Sequence, residues 1–437
     1  MPEKVQIQYD ALVLGGGIAG MQAALDLAEQ GYTVALVERT ETIGGNMIKL
    51  SKVFPTLDCA SCITTPKMAA VAHHRNITLM TLCELRGVGG AAGDFEVKVR
   101  QQPRYVDTDR CIGCMKCEMG CPILAPSREQ HGFAGRKAIY VPFASAIPQV
   151  PRLDAESCTL CGKCAGLCPT GAIDYFQKPR DLKIRTKALV LATGYKLLRD
   201  YPARAWGEAA DQPNLVDALQ MECLLAPAGP YKRLLRPSDG KEPESVAFIQ
   251  CAGSRDTQLG VRHCSRVCCM YNIKQATLLK REHPGMRLAI YCMDVRCFGK
   301  GYEQFYRNAL EMGVEFVRSK GVVTGRSDDD GVIVRHDDME GSGGPRLDTF
   351  DMGVLSLAIV PAWTPDGLAP VRVAEDGFLA SRQPKLSSTL TSSEGVFMAG
   401  VAAGPKDIVD TVVEAGAAAS EAGIFLKGLQ AGRQRAA

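Results

Sequence analysis

Short apolar runs and stretches of helical spacing alternate along most of the chain. Residues 9–14 (Tyr-Asp-Ala-Leu-Val-Leu) read as a buried strand. Residues 21–30 carry helical spacing that stops at Gly31, and residues 33–38 form a second apolar run ending in an acid, Glu38. Comparable strand-like runs return at 187–192, 244–250, 287–291, 354–361 and 395–400. Strands separated by helical segments predict parallel sheets flanked by helices, an α/β class. None of these runs approaches the roughly 20 apolar residues that span a bilayer, so no transmembrane segment is expected. Residues 1–9 are polar and charged, with no apolar leader before the first strand. The expected location is the cytoplasm, with docking on a membrane partner left open.

Composition narrows the class. A chain of 437 residues has room for two or three domains, and 46% hydrophobic with 23% charged residues marks it as globular. A net charge of +3, with no basic block, argues against nucleic-acid binding. Cysteine changes the picture, because there are 18. A secreted disulfide scaffold is the bland explanation. The spacing, two ladders of four and a third cluster of four, points instead to metal.

After the first strand comes Gly15-Gly-Gly-Ile-Ala-Gly20, so Gly15, Gly17 and Gly20 stand at G-x-G-x-x-G, with Glu38 about 20 residues on. In this fingerprint the first glycine permits the tight turn, the second lets backbone approach a pyrophosphate, and the third lets helix pack on strand. The helix N-terminus faces the phosphates and the acid accepts from ribose hydroxyls. Three later features resemble the flavoprotein disulfide reductases and favour FAD over NAD. They are Gly44-Gly45 after the acid, Ala192-Thr193-Gly194 at a strand end, and a last strand closing on Gly400. That last strand normally ends Gly-Asp, the aspartate holding the ribityl chain; here Val401 replaces it. The substitute expected is the free backbone N–H groups where Gly404-Pro-Lys-Asp-Ile408 opens a helix, with Asp407 as a helix-start residue.

Cys111, Cys114, Cys117 and Cys121-Pro122 follow C-x2-C-x2-C-x3-C-P, and Cys158, Cys161, Cys164 and Cys168-Pro169 repeat it. This is the two-cluster ferredoxin run, in which the cysteine before proline ligates the other cluster. Cys111, Cys114, Cys117 and Cys168 are therefore expected to hold one [4Fe–4S] cluster, and Cys158, Cys161, Cys164 and Cys121 the second. Two zinc sites are the alternative, and the duplicated rhythm argues against them. The long linker 123–153 is expected to cover the clusters or meet a partner.

The 244–250 strand should lead into a second glycine loop. It runs into Cys251 instead, followed by Cys264, Cys268 and Cys269. This domain is expected to have lost NAD(P)H binding. Its four cysteines offer thiolates to an unusual third cluster; a structural zinc and buried thiols stay open as alternatives.

Taken together, Asp58-Cys-Ala-Ser-Cys62, Thr65-Pro-Lys-Met68, the inserted ferredoxin, Cys251-x12-Cys264-x3-Cys268-Cys269 and Gly404-Pro-Lys-Asp-Ile408 resemble the A-type flavin subunits of heterodisulfide reductase and their relatives, including quinone-interacting oxidoreductase subunits. The resemblance implies two Rossmann-like nucleotide-binding domains of the thioredoxin/disulfide-reductase type with an inserted 2[4Fe–4S] module. Its parts are a flavin domain (1–101, 181–243 and 349–437), the module (102–180) and a degenerate second domain (244–348). It also implies a third [4Fe–4S] cluster on the Cys251 set, and a flavin-tuning role for Lys274, which otherwise reads as an ordinary exposed helix lysine. Implied partners are B- and C-type subunits, with ferredoxin, hydrogenase, dehydrogenase or quinone modules, around a homodimer. Longer members carry an extra N-terminal domain and a C-terminal ferredoxin, so this chain is expected to have fewer electron exits.

The expected work is electron relay between flavin, clusters and partners, with flavin-based bifurcation as an extension. The Cys59/Cys62 pair stays open as a redox disulfide, a metal-ligand pair or two buried thiols; Cys83, Cys223, Cys292 and Cys297 read as core or loop thiols. Two rival readings are a self-contained disulfide reductase using Cys59/Cys62 and a non-catalytic scaffold whose clusters are structural.

Overall fold

The computed structural model describes residues 7–339 and 344–436; of the expected polar N-terminus, residues 1–6 lie outside the described residues. The first strand, Ile7–Leu14, is followed by the helix Ile18–Glu29 and the strand Val34–Val37. The helix starts three residues earlier than its spacing suggests because Gly17 serves as its N-cap. The main sheet runs, in spatial order, through the strands Ile77–Met80, Val34–Val37, Ile7–Leu14, Arg180–Leu191, Asp94–Gln101 and Cys83–Ala91. Val396–Met398 joins the last residues of Arg180–Leu191 in parallel. The long helix Ile408–Ala436 covers one face. Its small residues Ala415, Ala418, Ala419 and Ala422, with Leu426, are all buried in the same core as the first helix. A stripe of alanines at helical spacing lets two helices approach closely over the parallel strands of this sheet, whose other edge, Asp94–Gln101 and Cys83–Ala91, is antiparallel and departs from the wholly parallel sheet expected.

The cysteine-rich insertion leaves and re-enters this sheet at one point. Gln101 at the end of one strand pairs with Arg180 at the start of the next. Between them the core is small (Val106, Ala138, Ile139, Val150, Leu153 and Ala172 with Cys117, Cys121 and Cys164), as suits a module stapled by metal rather than by apolar volume alone.

A second sheet carries Leu215–Asp217, Met352–Leu357, Ser245–Ala252, Arg287–Cys292 and Glu315–Arg318, all parallel. This corrects the expected boundaries of 244 and 348. The second domain takes in residues 215–217 and 352–357 as well, and the apolar run 354–361 divides between two sheets, Met352–Leu357 in one and Ile359–Pro361 in another. A wholly buried run reads alike whichever sheet it joins, so its apolar pattern carries no signal of sheet membership.

Candidate functional site

A cavity of about 550 Å³, within the usual range of about 300–1,000 Å³ for ligand sites, opens where the first strand ends. Gly15, Gly17, Glu38, Gly45, Thr193 and Gly194 line it. Gly45 lies at φ +58°, and a Cβ there would come within 2.8 Å of the Gly17 Cα. The two glycine segments therefore meet backbone to backbone, with no room for a side chain between them. Glu38, only 8% exposed, accepts from the Gly16 N–H (2.7 Å), the Thr40 N–H (2.8 Å) and the Thr40 hydroxyl (2.9 Å). A carboxylate has about four lone-pair sites, so capacity remains for ribose hydroxyls.

Gly20 and Gly400 do not line the cavity. Gly20 does packing work: a Cβ would fall 1.8 Å from the Gly15 carbonyl oxygen. We therefore expect Gly20→Ala to force helix and strand apart at a cost of about 1–3 kcal/mol, and flavin bound after gel filtration, read from its absorbance, to fall about tenfold. Undiminished flavin would show that the turn does not grip the cofactor. Gly400 faces the first helix, where a Cβ would meet Ala19 at 2.7 Å; its neighbours Ala399 and Val401 form the wall.

Asp407 and Ile408, at the start of the last helix, reach the same cavity. Asp407 is the helix-start residue: one carboxylate oxygen accepts from the Asp410 N–H (2.9 Å) and the other from the Tyr302 hydroxyl (2.8 Å). The cap takes the Asp410 N–H, which leaves the Ile408 and Val409 N–H groups of the first turn to face an anion.

The linker 123–153 covers the flavin side of the molecule, beyond what the sequence suggested. Arg128, Glu129, Pro142 and Arg152 line the cavity. Glu41 ties the linker down, accepting from the Tyr140 hydroxyl (2.7 Å) and pairing with Arg152 (3.2 Å). Burial works against the Glu41 charge, but Tyr140 and Arg152 together hold its carboxyl below the usual range. Buried Arg104 completes the latch, donating to the Val150 carbonyl, the Glu41 carbonyl and the Thr81 hydroxyl.

Lys274 is no exposed lysine. It is 1% exposed, lines the cavity, and donates to Glu222 at 2.5 Å and to the Lys52 carbonyl at 2.8 Å. Glu222, 2% exposed, also accepts from Gln275 (2.5 Å) and the Ser51 N–H (3.0 Å). Sequence reasoning missed Glu222, Glu41 and Arg104. Each is an ordinary charged residue in its local context, and only tertiary packing buries it.

In the insertion, Cys121, Cys158, Cys161 and Cys164 line one small cavity together with Tyr175, whose hydroxyl lies 3.0 Å from the Cys164 sulfur. Backbone N–H groups point at cysteine sulfurs in both ladders: Gly113 at Cys111, Leu160 at Cys158 and Ala172 at Cys168. Such N–H···S contacts are among the features that tune a cubane. In the second domain Cys251 is the next-to-last residue of the strand Ser245–Ala252, at φ +55°, and Cys268 and Cys269 open the helix Cys268–Glu282. Burial first, then the nearness of Cys251, Cys269 and Cys264, pushes the Cys268 thiol up. Cys292 stands beside this group as well as in the core, close enough for Cys251 and Cys269 to feel it. Among the described residues, no group of three or more His, Cys, Asp or Glu is placed to hold a single metal ion.

Cys59 and Cys62 do not line the flavin cavity. Cys59 caps the helix Ala60–His73 and Cys62 is exposed one turn on. The pair thus stands outside the cavity wall, one backbone bridge from Lys52, which lines it. No helix among the described residues is long and apolar enough to cross a membrane.

Comparison with known proteins agrees with this geometry. Residues 10–99 match the family of FAD dependent oxidoreductases, and residues 110–172 the 4Fe-4S dicluster domain. The iron-sulfur A subunit of the CoB–CoM heterodisulfide reductase of Methanocaldococcus jannaschii is 43% identical over 97% of this chain and 65% of its own length. The A subunit of the H2:CoB-CoM heterodisulfide,ferredoxin reductase of Methanothermobacter marburgensis is 41% identical over 96% and 64% respectively. The chain thus spans just under two thirds of the length of these relatives. Among solved structures, thioredoxin reductases share the fold: that of T. acidophilum at TM-score 0.55 (13% identity, 97% of this chain, 99% of that one), and that of Lactococcus lactis at 0.53 (13%, 96% and 99%).

Proposed function

The chain belongs to the flavin/iron–sulfur family of heterodisulfide reductase A subunits, and we propose from that premise that it is the electron-relay component of a multi-subunit complex. Bound FAD would exchange electrons in pairs or singly and each [4Fe–4S] cluster one at a time, which links two-electron to one-electron partners. The backbone N–H groups at the start of the helix Ile18–Glu29 would hold the pyrophosphate, and Glu38 the ribose. Thr193 and Gly194 line the cavity wall as well. Lys274 would set a cation against the bound ring, with Glu222 fixing its position. Cys111, Cys114, Cys117 and Cys168 would hold one cluster, Cys121, Cys158, Cys161 and Cys164 the second, and Cys251, Cys264, Cys268 and Cys269 a third.

One observation carries this reading. A nucleotide-sized cavity and a cysteine-lined one lie in one fold, and the cysteine module's linker forms part of the first cavity's wall. Ile112, Met119, Leu160 and Phe176 are all more than 60% exposed on the module, an apolar surface suited to partner docking. The partners proposed are B- and C-type subunits and a ferredoxin, hydrogenase, dehydrogenase or quinone module, with the chain as a homodimer in the cytoplasm. Splitting of electrons between a low- and a higher-potential acceptor is the finer form of this proposal.

Anaerobic isolation of the native complex tests it. We expect one FAD and about twelve irons per chain, four for each cubane, all reducible by co-purifying partners. Flavin and clusters that no partner can reduce would favour the scaffold reading.

A further inference from the structure

Six cysteines lie outside the three proposed sets, and one pair among them is chemically unlike the rest. Burial raises the thiols of Cys83 and Cys292 to about 12 and those of Cys223 and Cys297 to about 11, which leaves them inert at neutral pH. Cys59 goes the other way. The Cys62 side chain first, then the Ser61 hydroxyl and the Cys62 N–H, draw it down to about 7. The geometry agrees. Cys59 is the N-cap of a 14-residue helix; its sulfur accepts from the Cys62 N–H at 3.3 Å and lies 3.1 Å from the Ser61 hydroxyl oxygen. Cys62, one turn on and exposed, is the neighbour able to close a bond to it. Lys52, bridged to Cys59 through the backbone, adds a cation close to Cys62.

We propose that Cys59 and Cys62 form a solvent-facing thiol–disulfide exchange site for small-molecule disulfides, apart from the flavin and cluster path. The Cys59 thiolate attacks one sulfur of R–S–S–R′. A Cys59–S–R bond forms, the S–S bond breaks, and R′–S⁻ leaves to take a proton from water. Cys62 then gives its proton to water and attacks the Cys59 sulfur, forming the Cys59–Cys62 disulfide and releasing R–S⁻, which is protonated in turn. The pair is oxidised by two electrons and the substrate is reduced to two thiols; exchange with an external dithiol runs the same steps backward.

At pH 7 a thiol of pKa about 7 is half ionised, about sixteenfold more than a free cysteine at about 8.5. Its lower intrinsic nucleophilicity takes back most of that advantage and leaves a gain of about threefold. The test uses the intact, cluster-loaded chain, alkylated with iodoacetamide at pH 7 and read by peptide mass spectrometry. Cys59 should react about threefold faster than a cysteine peptide. With glutathione disulfide, the parent should end as the Cys59–Cys62 disulfide, Cys62→Ser should stop at a Cys59–glutathione adduct, and Cys59→Ser should form neither. Alkylation no faster than the peptide would overturn the proposal. So would iron lost on Cys59→Ser, which would make the pair metal ligands. Flavin and iron content unchanged in both variants keeps this result separate from the relay reading.

Discussion

Replacing Lys274 by methionine is expected to lower stability by about 3–5 kcal/mol, because it strands the Glu222 carboxylate in the interior with its cation removed. Lys274 and Glu222 are 1% and 2% exposed and 2.5 Å apart, so water cannot take the place of the lost partner. Gln275 and the Ser51 N–H still donate to Glu222, but dipoles do not offset a full buried charge. Thermal unfolding of flavin-loaded, anaerobically handled protein should show a midpoint lower by several degrees. The double variant Lys274→Met/Glu222→Leu should recover much of the loss, since removing both charges also removes the cost of burying them. A single variant as stable as the parent would show that the pair is not a buried ion pair in the folded chain. The proposed role adds a sign test. A cation beside the ring favours its anionic reduced form, so the flavin potential should move down in Lys274→Met and up in Glu222→Gln. Shifts in the same direction in both variants would separate the pair from the flavin.

The same pair shows where the sequence stops being informative. G-x-G-x-x-G and the two C-x2-C-x2-C-x3-C runs are legible because their chemistry needs groups a few residues apart on one turn, so spacing is itself the geometry. Glu222 lies 52 positions before Lys274 on a different helix, and nothing local distinguishes it from a surface acid. The Glu41 latch is of the same kind, since Arg104, Tyr140 and Arg152 reach it from 63 to 111 positions away. The place of 215–217 and 352–357 in the second sheet was lost for a related reason: strand partners are chosen by long-range packing. Cys59 and Cys62 form the opposite case. Their C-x-x-C spacing is plain, yet their helix-cap geometry and their separation from the flavin wall had to be seen in the fold.

Ligand crossing in the cysteine module supplies the other large expected effect. Cys121 closes the first ladder in sequence, so a local reading would give it to the cluster of Cys111, Cys114 and Cys117. In space it lines one cavity with Cys158, Cys161 and Cys164. The proline after it turns the chain away from its own loop, which is how this spacing sends its fourth thiolate to the neighbouring cubane. Cys111→Ala and Cys121→Ala should therefore each lose about four irons, from different clusters, and the double variant about eight. Both cysteines are at most partly exposed and alanine leaves little void, so the surrounding loops should keep their shape. Iron analysis with spin quantitation after reduction reads the result directly. A double variant that loses only about four irons would assign Cys111 and Cys121 to one cluster. That outcome would remove the crossed arrangement, and with it the close coupling of two clusters that a relay through this module requires.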